Sequence, residues 1–372
     1  MVEILESCLV APSEETPKHA LWLSNLDLAA APGHTPTVYF YRPSGPGAFL
    51  PLAGRLGVGR DGRFEIDCNA EGVLFVAARC DYTVDSFREF KPSPETRRLF
   101  VPIADSADTP LVMLQVTFLK CGGVALGTAM HHFATDGPSA FHFIQTWASL
   151  ARGEAADALP RPSSTAPSSA PAPHPPSSST TEYSPDTFSA RSTAPYVAAI
   201  LKLSKGQIAL LKSRASGGGS GYAVSTFRAV TAHVWRCLCV ARKLAPNAQT
   251  RLYLPAQIRN HIKPPLPQHY FGNALIRVSA VTTVAELVNG SPSFAVEKIK
   301  SAVDKVNDVY VRSVIDYLEL QGKRCVSARN GVRDTDLWAI SWLGMPMYDA
   351  DFGWGSRSSW RGRSSTPAAS CT

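Results

Sequence analysis

Apolar positions along this chain follow two periods. Short β-branched and aromatic runs, bounded by Pro and Gly, recur through the first 130 residues. They are TPTVYFY (36–41 at its core), GVLFVAAR (72–79), PLVMLQVTFLKC (110–121) and GGVALGTAM (122–130). Each predicts a strand. Gly122-Gly123 between the last two predicts a hairpin turn. From Pro138 the period changes: Ala140, Phe141, Ile144, Trp147, Ala148 and Ala151 recur at helical spacing and predict a helix over 138–153. Residues 152–194 have neither period. They are rich in Pro, Ser and Ala, nearly devoid of core-forming residues, and predict an extended linker.

After the linker the pattern resumes. YVAAILKLS (196–204) predicts a strand, and Ser204 with Gln207 forms a capping-box pattern before a short helix, IALLKSRA. STFRAVTAHVWRCLCVARKLA (225–245) predicts a long helix with a stripe of Phe227, Val230, Val234, Trp235, Leu238 and Leu244. Strands are predicted at 250–257, 271–281 and 335–344, and helices near 283–289 and 293–307. Strands and helices mixed on both sides of a linker predict an α/β chain with mixed sheets and two domains. The expected division is 1–151, linker 152–194, 195–355, and an atypical Ser/Arg-rich tail at 356–372.

Composition narrows the function. At 45% hydrophobic and 18% charged residues the chain reads as globular. The net charge of +7 falls to +4 without Arg357, Arg361 and Arg363 of the tail, and no basic-aromatic module occurs, so a nucleic-acid partner is not expected. Eight cysteines show no Cys-x-x-Cys and no regular spacing, which points to reduced thiols in a cytoplasmic protein. No apolar run approaches the ~20 residues of a membrane helix, and MVEILESCLV lacks the basic and apolar regions of a signal peptide.

The candidate chemistry lies in HHFATDG (131–137), between a predicted strand end and a helix start. Free backbone N–H groups point outward at such a junction. His132 reads as a general base, since a neutral imidazole accepts a proton near neutral pH. Asp136 can hold its loop, orient the His132 ring, or cap the helix. A metal reading needs a third ligand, which no His, Cys, Asp or Glu at ligand spacing supplies. GVGRDG (57–62) is followed by RFEID, an alternating strand instead of a helix. A hairpin turn is therefore expected there and a dinucleotide site is not. A second stretch, YDADFGWG (348–355), places Asp351 and Trp354 in a glycine-flanked loop.

With H-x-x-x-D-G in the middle and D-F-G-W-G near the end, the sequence resembles the BAHD plant acyltransferases, and most closely their hydroxycinnamoyl-CoA branch. TPKHALWLSNLDL (16–28), HTPTVYFYRP (34–43), PLAGRL (51–56), HVWR (233–236) and YFGN (270–273) agree with it. The resemblance implies two chloramphenicol-acetyltransferase-like domains with a channel between them. Acyl-CoA is the co-substrate and there is no permanently bound cofactor. A small amine (a polyamine, agmatine or an arylamine) or alcohol is the acceptor, and a monomer is expected. It implies His132 as base, Trp354 as oxyanion donor, and Asp136 and Asp351 as residues that shape their loops. By the same resemblance Ser225, Thr226, Arg259, Lys263, Ser341 and Trp342 lie near the acyl-CoA channel, the two cations meeting CoA phosphates.

Three departures accompany it. The helix that relatives carry before PLAGRL is missing, and SRSSWRGRSSTPAASCT after DFGWG has no strand pattern, so the second domain is expected to be truncated or incomplete and the product inactive if that loss is real. Where shikimate-using relatives carry an arginine two residues after the Trp of a Ser-Trp stretch, this chain has Gly344. An amine acceptor is therefore expected over shikimate or quinate.

Overall fold

The computed structural model describes residues 2–13, 20–41, 53–87, 93–103, 109–155, 158–160, 162–163, 181–183, 199–216, 223–321, 332–353 and 370–371. Its strands are β1 (Val2–Val10), β2 (Ala20–Trp22), β3 (His34–Tyr41), β4 (Arg55–Val58), β5 (Phe64–Asp67), β6 (Val73–Cys80), β7 (Val112–Leu119), β8 (Val124–His131), β9 (Gln249–Gln257), β10 (Leu275–Thr283), β11 (Leu337–Ile340) and β12 (Ser370–Cys371). Its helices are α1 (Asn25–Leu28), α2 (Pro94–Phe100), α3 (Gly137–Ala151), α4 (Lys205–Ala215), α5 (Thr226–Ala241), α6 (Val284–Asn289), α7 (Pro292–Asp304) and α8 (Asp308–Gln321).

The first half is built on a sheet in the order β1-β6-β7-β8-β3, antiparallel except for the parallel pair β6–β7. β7 is buried along nearly its whole length, which is why VMLQVTFL reads as an almost unbroken apolar run. On one face α3 packs Phe143, Ile144 and Trp147 against Val112, Leu114, Leu126 and Met130. On the other, Phe100 of α2 meets Met113, Leu119, Ala125 and Ala129. Gly127 makes that second contact possible: a Cβ there would lie 1.7 Å from the Phe100 carbonyl oxygen. A small sheet, β2-β5-β4, stands beside the large one. GVGRDG is its hairpin turn, with the Gly62 N–H donating to the Gly59 carbonyl at 2.8 Å and Gly62 at φ +75°.

The second half is a sheet in the order β10-β9-β11-β12. Trp235 of α5 and Ile299 of α7 share one core with Leu252, Leu254, Ile276 and Val278 of the strands. The HVWR stretch works structurally here. Trp235 Nε1 donates to Thr250 Oγ1 at 2.9 Å, and Arg236 donates to the carbonyls of Gly290 and Val288, tying α5 to α6 and the turn after it.

Several expectations need correction. Residues 199–204, the described part of YVAAILKLS, form no strand, and Leu201 is 82% exposed. The linker is not free of core residues. Ser163 bridges to Tyr270, and a 3-10 turn at Thr181–Tyr183 buries Tyr183, whose hydroxyl oxygen accepts from the Arg277 N–H at 2.6 Å. The tail does contribute a strand, the two-residue β12 on β11. Residues 42–52, where the resemblance led a helix to be expected and the sequence lacked it, lie outside the described residues. β1 and α8 have no counterpart among the predicted elements. The two halves also interlock: Leu26 of α1 belongs to the second core, and Ala350 and Phe352 belong to the first.

Candidate active site

The site is built where β8 ends and α3 begins. His132 stands in the turn between them, and its own backbone N–H and carbonyl are both hydrogen-bonded. Its N–H donates to the Gly33 carbonyl at 2.9 Å, and its carbonyl accepts from Asn273 Nδ2 at 2.8 Å. The next two amides turn back on His131: Phe133 N–H donates to His131 Nδ1 at 3.2 Å, and Ala134 N–H to the His131 carbonyl at 3.0 Å. Within the His132 ring, Nδ1 is buried and has no hydrogen-bond partner among the described residues.

Asp136 does not contact His132. Its carboxylate is 1% exposed and accepts four hydrogen bonds. Oδ1 takes the Ser139 N–H at 3.0 Å, capping α3, and Arg259 Nη2 at 2.9 Å. Oδ2 takes Arg259 Nη1 at 2.7 Å and the Ala274 N–H at 3.0 Å. The same guanidinium donates to Ser139 Oγ at 3.1 Å and to the carbonyls of Tyr270 and Gly272 at 3.3 Å. Arg259 is thus buried in a bidentate pair that joins the two halves. That geometry corrects the expectation of Arg259 at a CoA phosphate, since its donors are directed at Asp136 and its surroundings.

A second buried carboxylate completes the join. Asp27 Oδ1 accepts the Asn273 N–H at 2.8 Å and Asn273 Nδ2 at 3.0 Å; its Oδ2 accepts from Ser24 in a capping box. Burial pushes the Asp27 carboxyl above the usual carboxylate range, against the pull of these hydrogen bonds. Asn273 therefore links LSNLDL, HHFATDG and YFGN in one network. No sequence period signals this, because the three stretches are far apart along the chain.

Of the residues expected along the acyl-CoA channel, Ser225, Thr226 and Ser341 line one cavity of about 740 Å³ with Phe227, Leu343 and Gly344. Lys205, Ile208, Ala209 and Lys212 of α4 form its remaining wall. The two lysines were not singled out from the sequence. Their signal was the i, i+3, i+4, i+7 spacing, which puts all four side chains on one helix face. Trp342 lies outside that lining and meets Phe141 of α3 edge-on, with ring centroids 5.8 Å apart. Met345 packs on Gly137, since a Cβ there would lie 3.2 Å from its Cε. The 341–345 segment thus runs from the cavity to the first turns of α3. Lys263 is exposed; its N–H donates to Asp308 Oδ1 at 2.7 Å, and its carbonyl accepts from Arg312.

The described part of DFGWG is not beside His132. Asp351 Oδ1 accepts the Gly353 N–H at 2.9 Å, and its carbonyl accepts from Arg152, the residue that ends α3. Phe352 packs edge-on to Trp147 at 4.8 Å and to Tyr41 at 5.8 Å. A 15-residue helix spans about 22 Å, so Asp351 and Phe352 are at the opposite end of α3 from the base. Trp354 lies outside the described residues. Among the described residues there is no group of His, Cys, Asp and Glu arranged to hold a metal.

Known proteins agree with this architecture. The chain is 45% identical to putrescine hydroxycinnamoyltransferase 1 of Oryza sativa subsp. japonica, with 95% of this chain and 88% of the relative covered. It is 37% identical to shikimate O-hydroxycinnamoyltransferase of Nicotiana tabacum over the same shares. A hydroxycinnamoyl-CoA:5-hydroxyanthranilate N-hydroxycinnamoyltransferase of Avena sativa is 36% identical, again over 95% and 88%. Vinorine synthase superposes with a TM-score of 0.68 at 20% identity, covering 96% of this chain and 88% of that one. TRI101 of F. graminearum, solved with ethyl coenzyme A, gives 0.70 at 16%, covering 92% and 88%. These two show the fold. The Transferase family model matches residues 1–46 and 47–370. With the H-x-x-x-D-G and D-F-G-W-G stretches in place, this chain is a transferase and belongs to that family, the BAHD acyltransferases.

Proposed function

We propose that the protein transfers a hydroxycinnamoyl-type group from coenzyme A to an amine, with His132 as general base. Asp136 is committed to Arg259, whereas the His132 ring makes no hydrogen bond among the described residues; with Nδ1 buried, Nε2 is the ring nitrogen that would take the proton, and the contrast between the two side chains carries the reading. The imidazole takes a proton from the acceptor nitrogen as it attacks the thioester carbonyl carbon. The C–S bond breaks, the thiolate takes the proton back from the imidazolium, and amide and free coenzyme A leave. No acyl-enzyme is formed. The cavity of about 740 Å³ suits the acyl-CoA donor: its lysines match phosphates, and its Ile208, Phe227 and Leu343 the pantetheine and acyl parts.

Gly344 supports an amine over a carboxylate-bearing acceptor. It lines the cavity at φ +80° with open space where a side chain would begin, so no cation projects from this position. The putrescine-acylating relative at 45% identity supports the same choice. Lys263 remains a proposed phosphate contact, and the chain acts as a monomer in the cytoplasm. The oxyanion role expected of Trp354 is not carried forward: Phe352, two residues before it, packs at the end of α3 far from His132, and two residues span at most about 7 Å. Purified protein assayed with p-coumaroyl-CoA against putrescine, agmatine, tryptamine and shikimate tests the reading. Amine turnover that disappears in His132→Ala is expected. A preference for shikimate refutes the acceptor assignment, and activity surviving in His132→Ala refutes the base.

A further inference from the structure

The first histidine of HHFATDG has no part in the reaction just described, yet its ring holds the turn on which that reaction depends. A general-base histidine ordinarily has its second ring nitrogen fixed by a carboxylate or carbonyl. Here His132 Nδ1 has no partner among the described residues, and the nearest aspartate in sequence, Asp136, faces Arg259. The aim of the ring must then come from the backbone that carries it.

That backbone is closed by His131. Its Nδ1 accepts the Phe133 N–H at 3.2 Å, an i to i+2 side-chain bond with the geometry of an Asx turn. The ring is wedged edge-on between His34 and Phe133, with both centroid distances 5.1 Å. His34 is its cross-strand partner at the β3–β8 edge, and His34 Nε2–H donates to the Pro110 carbonyl at 2.7 Å, which fixes the inner ring in turn. The outer ends of the turn are held by Gly33 and Asn273. The amide between them, that of Phe133, has His131 as its one partner among the described residues.

We propose that His131 is a positioning residue for acyl transfer: its Nδ1, by accepting the Phe133 amide, sets the turn that directs the His132 imidazole toward the acceptor. The role requires an imidazole with the proton on Nε2. Burial, and then the His34 and His132 rings, push His131 down to about 4, so it is neutral at working pH. The proposal rests on His132 being the base.

Two substitutions separate the acceptor atom from the ring. His131→Phe keeps a ring between His34 and Phe133 but offers no acceptor. His131→Asn places Oδ1 where Nδ1 stands and can accept the same amide. With p-coumaroyl-CoA and putrescine, kcat of His131→Phe is expected to fall at least tenfold with KM for the CoA ester within about twofold. His131→Asn is expected to recover most of that loss and to keep the parent's acid limb in the kcat profile. A merely structural ring would show the opposite order, with Phe tolerated and Asn not. Nitrogen NMR of the imidazoles in the unmodified protein needs no variant to fold, and should find His131 with a bare Nδ1 and a protonated Nε2. A kcat of His131→Phe within twofold of the parent, an Asn variant as slow as the Phe variant, or a proton on Nδ1 overturns the proposal. Full activity of His132→Ala instead overturns the base assignment beneath it, and the two failures are told apart by which variant stays active.

Discussion

Asp136→Asn should destabilise the protein severely without touching the reacting groups. Both carboxylate oxygens already accept two hydrogen bonds each, one from Arg259 and one from a backbone N–H. An asparagine keeps one oxygen and replaces the other with an NH₂. Whichever way the amide is placed, that NH₂ faces one guanidinium donor and one backbone amide, and both lose their acceptor. A hydrogen bond to a charged group contributes about 2 kcal/mol and an orphaned buried donor costs a similar amount. Asp136 is 1% exposed, so little solvent is at hand to compensate. The expected loss is about 4 kcal/mol, in line with breaking one side of a buried ion pair. For a domain of this size that lowers the melting temperature by roughly 10 °C. Circular dichroism melts and urea midpoints measure it. Arg259→Met should produce a loss of the same order and little change in KM for acyl-CoA in whatever fraction stays folded. If Asp136→Asn melts within 2 °C of the parent, or Arg259→Met raises that KM tenfold at unchanged stability, the loop-joining role is refuted and the phosphate role restored.

Other outcomes are equally open to measurement. Gly127→Ala puts a carbon 1.7 Å from the Phe100 carbonyl oxygen and must displace α2 from the sheet, so the variant should express largely insoluble or melt far below the parent. Gly344→Arg faces open space but a left-handed φ of +80°, so it should cost about 1 kcal/mol while raising turnover of shikimate relative to putrescine. Lys205→Ala with Lys212→Ala should raise KM for acyl-CoA severalfold, less so at high salt, with kcat nearly unchanged. His131 has a folded pKa near 4 against an unfolded value of 6.5, so between these values the unfolded chain binds the extra proton. Stability from this group is therefore complete above pH 6.5 and declines as pH falls toward 4, by up to about 3 kcal/mol. His131→Asn should flatten that part of the urea midpoint profile.

Local physics was legible in the chain wherever a few neighbouring residues decide the outcome. The Ser204–Gln207 capping box, the Gly122-Gly123 hairpin, the GVGRDG turn and the amphipathic α5 all follow from near neighbours, and the structure has them at the expected residues. Misreadings occurred where burial was decided from a distance. YVAAILKLS has strand-forming residues, but its described part pairs with no neighbour. Glu182 and Tyr183 sit in a Ser- and Pro-rich stretch, yet β10 offers them Arg277 and Ser279, and they become core.

The candidate site divides along the same line. Sequence alone determined that His132 stands at a strand-to-helix turn with Asp136 as the helix cap, because strand period, turn glycine and cap are all local. Which partner each charge takes was decided only by the tertiary structure. Asp136 meets Arg259 123 residues away, and Asn273 joins Asp27 to the His132 carbonyl across distances of 246 and 141 residues. The fold also separates what the sequence had paired. It seats Phe352 of DFGWG against Trp147 at the far end of α3 and brings the α4 lysines to the cavity wall. A hydrogen bond or ion pair is specified by three-dimensional proximity, and one-dimensional spacing carries that information only within a turn or two of helix or across one hairpin.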